Sequence, residues 1–200
     1  MLLNHVVGLF KNPEKEWENI KKENCSVGKC YCSHVLMLAA IPPVSFFIGL
    51  SQVGWSVGSG SVEKLTISNA ATYSVLLYIS ILVGIFSMGA MIRWMSKTYD
   101  AEQDLPRCIG LAAYTITPLL LVGLMGLYPA LWLNMLAALP ALAYCVYLLY
   151  TGVPIMMGIP KDKGFLFSSA VLAACLIILV AMMAATVILW DLGLAPKYAN

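Results

Sequence analysis

From Cys108 to Pro160 the chain carries no charged residue at all. The same holds from Leu65 to Ile92 and from Gly164 to Trp190. A water-facing fold cannot tolerate such stretches, because soluble domains carry roughly 25% charged residues spread over their surface. Here the charged fraction is 11% of 200 residues, against 60% hydrophobic. A membrane-crossing helix needs about 20 consecutive apolar residues to traverse some 30 Å of hydrocarbon. The pattern therefore predicts an all-α membrane protein, a bundle of five transmembrane helices preceded by short N-terminal amphipathic helices. A net charge of +2 gives no reason to expect nucleic acid as a partner. The first residues lack a basic stretch followed by an apolar core and a cleavage site, so insertion is expected through the first span itself.

The spans are expected at about 34–54, 70–96, 108–127, 130–152 and 165–189. Residues 1–33 form an N-terminal interfacial segment, 34–191 the membrane domain and 192–200 a short tail. Leu2, Leu3, Val6, Val7 and Phe10 recur at helical spacing. Asn12 reads as an N-cap with Pro13 at the first helical position. Glu14 and Glu16 in the first turn, with Lys21 and Lys22 in the last, suit the helix dipole. The sequence predicts two short helices over 1–23 lying on the membrane surface; the alternative is a helical hairpin packed on the loops. Val153 to Gly164 reads as a polar linker between the last two spans.

Orientation follows from counting. Lys11, Lys15, Lys21, Lys22, Lys29, Arg93, Lys97, Arg107, Lys161 and Lys163 fall on one side of the alternation, and only Lys64 and Lys197 on the other. Positive residues favour the cytoplasmic side, so the N-terminus is expected inside and the C-terminus outside.

No Asp, Glu, Lys or Arg sits near the centre of any span. Intramembrane charges commonly mark ion coupling and proton relays, so transport driven through buried carboxylates is disfavoured. The polar residues inside the spans are neutral: Ser45, Thr72, Ser74, Ser80, Ser87, Thr115, Thr117, Asn134 and Thr186. Helix–helix hydrogen bonding accounts for such residues. Prolines at Pro42, Pro43, Pro118 and Pro140 predict bent spans. Tyr114 lies one turn before Pro118, and Tyr147, Tyr150, Gly152 and Pro154 cluster near the end of the fourth span. These residues suggest either a bent interface or a small polar pocket, the ordinary alternative being a kink with an aromatic belt. Cys25, Cys30, Cys32 and His34 supply thiolate and imidazole, which is zinc or copper chemistry. Their spacing lacks a C-x-x-C knuckle, so redox, palmitoylation and incidental thiols stand beside the metal reading, and neither metal nor cofactor is expected. The six cysteines do not suggest a disulfide framework. No Ser/His/Asp arrangement and no phosphate loop appears, so no enzyme is expected.

Several segments in order resemble the Yip family of membrane proteins. They are Val7-Gly-Leu-Phe-Lys-Asn-Pro13, His34-Val-Leu-Met-Leu-Ala-Ala-Ile-Pro42, Ile48-Gly-Leu-Ser-Gln-Val-Gly-Trp55, Thr117-Pro-Leu-Leu-Leu-Val-Gly-Leu124, Leu127-Tyr-Pro-Ala-Leu-Trp132, Tyr147-Leu-Leu-Tyr-Thr-Gly-Val-Pro154 and Thr186-Val-Ile-Leu-Trp190. The likeness is to the compact bacterial branch, which implies a five-span fold in the cytoplasmic (inner) membrane. Eukaryotic members are implied in vesicle traffic through Rab-type GTPases; that role relies partly on longer N-terminal regions than this sequence shows and is not carried over. The function expected is non-enzymatic binding of membrane lipids, of other membrane proteins or of a second copy. The alternative is a transporter, channel or lipid-translocating protein with a Tyr/Thr-lined passage.

Overall fold

The computed structural model describes residues 2–23, 35–54, 63–99, 101–128 and 130–194. Among these residues the chain is helical and contains no β-strand, only isolated bridges. Two short helices come first, α1 (Leu2–Lys11) and α2 (Pro13–Lys22). The first span is assembled from α3 (Leu36–Ala39), α4 (Ile41–Ile48) and a π-turn, Gly49–Val53. Then come α5 (Ile67–Ser96), with a 3₁₀ turn at Lys97–Tyr99, and the broken pair α6 (Leu105–Thr115) and α7 (Thr117–Val122). A 3₁₀ segment, Gly123–Leu127, extends α7, and α8 (Leu131–Met157) and α9 (Lys161–Leu189) complete the bundle. Four of these units are long and apolar enough to cross a membrane. The pair Leu105–Thr115 and Thr117–Leu127, bent by 44°, makes a fifth if it counts as one broken span. The protein is an all-α membrane protein.

The prolines act unequally. Pro118 sits at the start of α7, immediately after the break at Ile116. Pro42 and Pro43 open α4 after a turn at Ala40. At such positions the missing N–H would have had no intrahelical partner anyway. Pro140 and Pro154 instead lie inside α8, which continues through both. The helix therefore runs beyond the expected end at 152 to Met157, stopped by Gly158 in the left-handed conformation (φ 72°). The next helix begins at Lys161, so the expected linker over 153–164 shrinks to a few residues.

The helices close on one another where glycine removes a side chain. A Cβ on Gly89 of α5 would lie 2.8 Å from the Cα of Ile109 in α6. On Gly123 it would lie 2.5 Å from Cγ of Pro42, and on Gly164 2.6 Å from Cγ of Pro154. Close backbone approach of this kind holds membrane helices together, since lipid offers no hydrophobic drive for association.

One end of the bundle gathers the basic side chains. Arg93 and Lys97 end α5, Arg107 opens α6, and Lys161 and Lys163 open α9. Gln103 ties these ends together by donating from Nε2 to the carbonyl of Met157 at 3.1 Å. Lys64 lies at the opposite end, next to Leu65, whose N–H bonds the carbonyl of Leu50 at 3.1 Å.

Candidate functional site

The N-terminal helices form locally as the sequence predicts. The N–H of Lys15 donates to Oδ1 of Asn12 at 3.3 Å, and Pro13 is the first helical residue of α2. Part of their apolar surface packs on the bundle, while Val7 and Phe10 stay about half-exposed. Leu9 (1% exposed), Trp17 (0%) and Ile20 (8%) belong to the main core with Leu111, Leu148, Val153 and Met156. The hairpin thus rests on the spans themselves, not on loops, and α2 packs along α8. Amphipathic periodicity says that one face needs an apolar partner; it does not say whether lipid or protein supplies it.

Trp17 is the anchor. A Cβ on Gly152 would sit 2.6 Å from its Cε2 and 2.8 Å from its Cζ2, so the indole lies directly on the backbone of α8. Its ring meets Tyr114 edge-on, with centroids 6.3 Å apart. The hydroxyl of Tyr144, thirteen residues before Met157 and hence roughly 20 Å along the helix, donates to the carbonyl of Leu9 at 2.8 Å. Phe10 stacks on the same ring at 5.2 Å.

A polar cluster lies between the two short helices and α6. Nδ1 of His5 is 2.5 Å from Oε1 of Glu16, and Nε2 is 3.2 Å from Oε1 of Glu23. The His5 and Glu16 side chains are 11% and 13% exposed. The imidazole also stands edge-on to Tyr114, with centroids 5.9 Å apart. Sequence reading found no charge near the centre of any span, and the charged residues of the span helices indeed lie in their end turns. It missed that α1 and α2 carry ionisable groups against them.

The other expected site residues do not converge. Tyr114 and Thr117 are buried, and Oγ1 of Thr117 donates to the carbonyl of Ala113 at 3.2 Å. Oγ1 of Thr115 is buried with no hydrogen-bond partner among the described residues. Asn134, near the far end of α8, donates to the carbonyls of Tyr128 and Ala130 at 3.1 and 2.9 Å. Along α8, Tyr147 lies 5.6 Å from the ring of Tyr144 and is half-exposed. Tyr150 bonds Ser169 Oγ at 2.8 Å, Gly152 meets Trp17, and Pro154 meets Gly164. These neighbours lie on three different elements, α8, α9 and α2. Pro42, Pro43 and Pro118 are buried packing residues. Cys25, Cys30, Cys32 and His34 lie outside the described residues. Among the described residues no group of three His, Cys, Asp or Glu is placed to hold a metal ion.

A second polar feature escaped the sequence reading. An open pocket of about 340 Å³ lies at the basic end, lined by Arg93, Ser96, Lys97, Glu102, Gln103 and Asp104. Only the fold brings the end of α5 and the linker before α6 around one space.

With the bundle and its broken third span in view, the comparison with known proteins is direct. Residues 7–182 match the Yip1 domain. The chain belongs to the Yip family. This Yip-family chain is also 42% identical, over 191 residues, to a protein of Escherichia coli strain K12 named inner membrane protein YohC. The match covers 96% of this chain and 98% of that one. The protein of the same name in Escherichia coli O6:H1 matches to the same extent. No solved structure matches. The Yip domain runs from α1 well into α9, so the N-terminal hairpin falls mostly within the family's own unit.

Proposed function

We propose that this Yip-family chain is a non-enzymatic inner-membrane protein that acts by contact, binding lipids or other membrane proteins, a second copy of itself included. The observation that carries the reading is the burial of Tyr114, beneath the N-terminal hairpin, and of Thr117, at 5% and 0% exposure. Those residues would have to line a neutral passage, and here they are committed to packing and to a backbone hydrogen bond. The basic residues of the span helices instead gather at one end of the bundle. That end faces the cytoplasm in this reading, with the N-terminus inside and the C-terminus outside, as the positive residues favour.

Native mass spectrometry of the full chain released from mild detergent tests the proposal. Retained lipid, a co-purifying membrane protein or a homo-oligomer is the expected result. A bare monomer, free of lipid and of any partner, overturns it.

A further inference from the structure

We propose that the pocket at the basic end binds the headgroup of a phospholipid bearing a primary amine, a phosphoethanolamine group. The inference rests on the lipid-binding reading above and names the ligand class.

The argument starts from the arrangement of charge. Arg93 and Lys97 stand four residues apart at the end of α5, so they share one face. Glu102 and Asp104 are separated by one residue in the non-helical linker. Both pairs line the same pocket. Among the described residues, none of the four takes part in an ion pair. Two cations and two anions therefore surround one space without closing on one another. A ligand complementary to that field carries a negative and a positive group side by side.

The walls are held in place. Gln103 donates to the carbonyl of Met157 at 3.1 Å and accepts from Arg107 at 2.5 Å. The N–H of Ala101 bonds the carbonyl of Ser96 at 3.0 Å, and Ser96 Oγ donates to the carbonyl of Arg93 at 2.7 Å. Tyr99 stacks on Phe167 of α9, with centroids 4.9 Å apart. The linker carrying the carboxylates is thus fixed to both α5 and α8. The pocket volume falls within the range of about 300–1,000 Å³ usual for small-molecule sites.

The chemistry selects among headgroups. A phosphate diester accepts hydrogen bonds from a guanidinium and an ammonium. A primary ammonium donates up to three hydrogen bonds, which suits two carboxylates. A choline head has no N–H to donate, and a glycerol head offers the carboxylates neutral hydroxyls but no opposite charge. A membrane lipid is favoured over a soluble ligand because Trp94, 71% exposed, adjoins Arg93. Tryptophan is enriched at headgroup level.

The test is native mass spectrometry of the full-length protein with phosphatidylethanolamine, phosphatidylcholine and phosphatidylglycerol offered in equal amounts. The ethanolamine lipid should be retained in preference to both others. Glu102→Gln with Asp104→Asn should lower its retention about tenfold, as expected for losing charge-assisted hydrogen bonds, and should abolish its advantage over the choline lipid. Arg93→Gln with Lys97→Gln should weaken all three, while Lys161→Gln at the same end should change nothing. Unchanged melting temperatures keep a folding defect from imitating either loss. Equal retention of ethanolamine and choline lipids, or a preference for the glycerol lipid, overturns the proposal. Free phosphoethanolamine binding as tightly as the lipid overturns the lipid as its source. Lipid retained without headgroup preference refutes this inference alone and leaves the contact reading standing; absence of both lipid and protein partners refutes that reading itself.

Discussion

The contact between Trp17 and Gly152 makes a quantitative prediction. Gly152→Ala places a Cβ 2.6 Å from Cε2 and 2.8 Å from Cζ2 of an indole that is fully buried. The ring is rigid and has Tyr114 standing edge-on to it, so it must shift by several tenths of an ångström. Overpacking of this kind costs about 1–3 kcal/mol. Trp17→Leu removes the ring while keeping an aliphatic anchor, and falls at or below the ~3–5 kcal/mol of a Trp→Ala truncation. With leucine at 17 the added methyl has no ring to strike. Gly152→Ala should then be neutral, or should stabilise α8 by up to about 1 kcal/mol through helix propensity. The two substitutions should therefore couple by about 2 kcal/mol, near thirtyfold in the equilibrium for hairpin opening. Hydrogen–deuterium exchange across α1 and α2, in wild type, both single variants and the double, reads that equilibrium. A Gly152→Ala cost that is the same in both backgrounds would refute the placement of Trp17 on α8.

Gly89→Ala should lower the thermal midpoint in detergent by the equivalent of about 1–3 kcal/mol, because the new methyl meets the backbone of Ile109. Gly110→Ala on α6 is its control: nothing lies within 4 Å of the added Cβ, so a similar loss there would undercut the reasoning. His5→Ala leaves Glu16 partly buried with only the 3.4 Å contact from Asn19 and should raise exchange in α1 by about 1–3 kcal/mol of opening free energy. Adding Glu16→Gln should recover part of that loss, and no recovery would mean the contact with Glu16 is not what His5 supplies. Reporter fusions that are active on only one side of the membrane should place the N-terminus inside and residue 200 outside; both ends on the same side would break the alternation that the basic residues define.

The span helices were legible because lack of charge over long stretches is a property of composition along the chain. Their ends were not equally so. The fourth span was expected to end at 152, yet α8 continues through Pro154 to Met157, since proline limits a helix only where the lost donor and the ring clash are not accommodated by neighbours. In α8 that neighbour is Gly164, whose bare Cα lets the Pro154 ring approach. Gly158, with its positive φ, is the actual stop. The neutral residues inside the spans were legible as polar but not as a site. Thr117 satisfies itself on Ala113 one turn back, and Asn134 on Tyr128 and Ala130 at the far end of α8. The pocket at the basic end was illegible for a different reason: Arg93 and Asp104 belong to separate segments, and only the turn through Tyr99 folds one over the other.

The hairpin and the first span are best understood together. The hydroxyl of Tyr78 donates to the carbonyl of Leu36 at 3.3 Å. Tyr78 lies eighteen residues before Ser96 on α5, roughly 27 Å from its basic end. The first span therefore begins its described helix deep in the bundle and packs toward the other end, where Pro42 and Phe46 meet Gly123 and Gly126. Leu9, Trp17 and Ile20 pack against Leu111, Leu148 and Val153, and Val6 packs with Leu38 and Leu120. A hairpin that packs on the spans must bury apolar side chains and still keep its charges wet. An amphipathic hairpin with Lys15, Glu18 and Lys22 on its exposed side meets both demands at once.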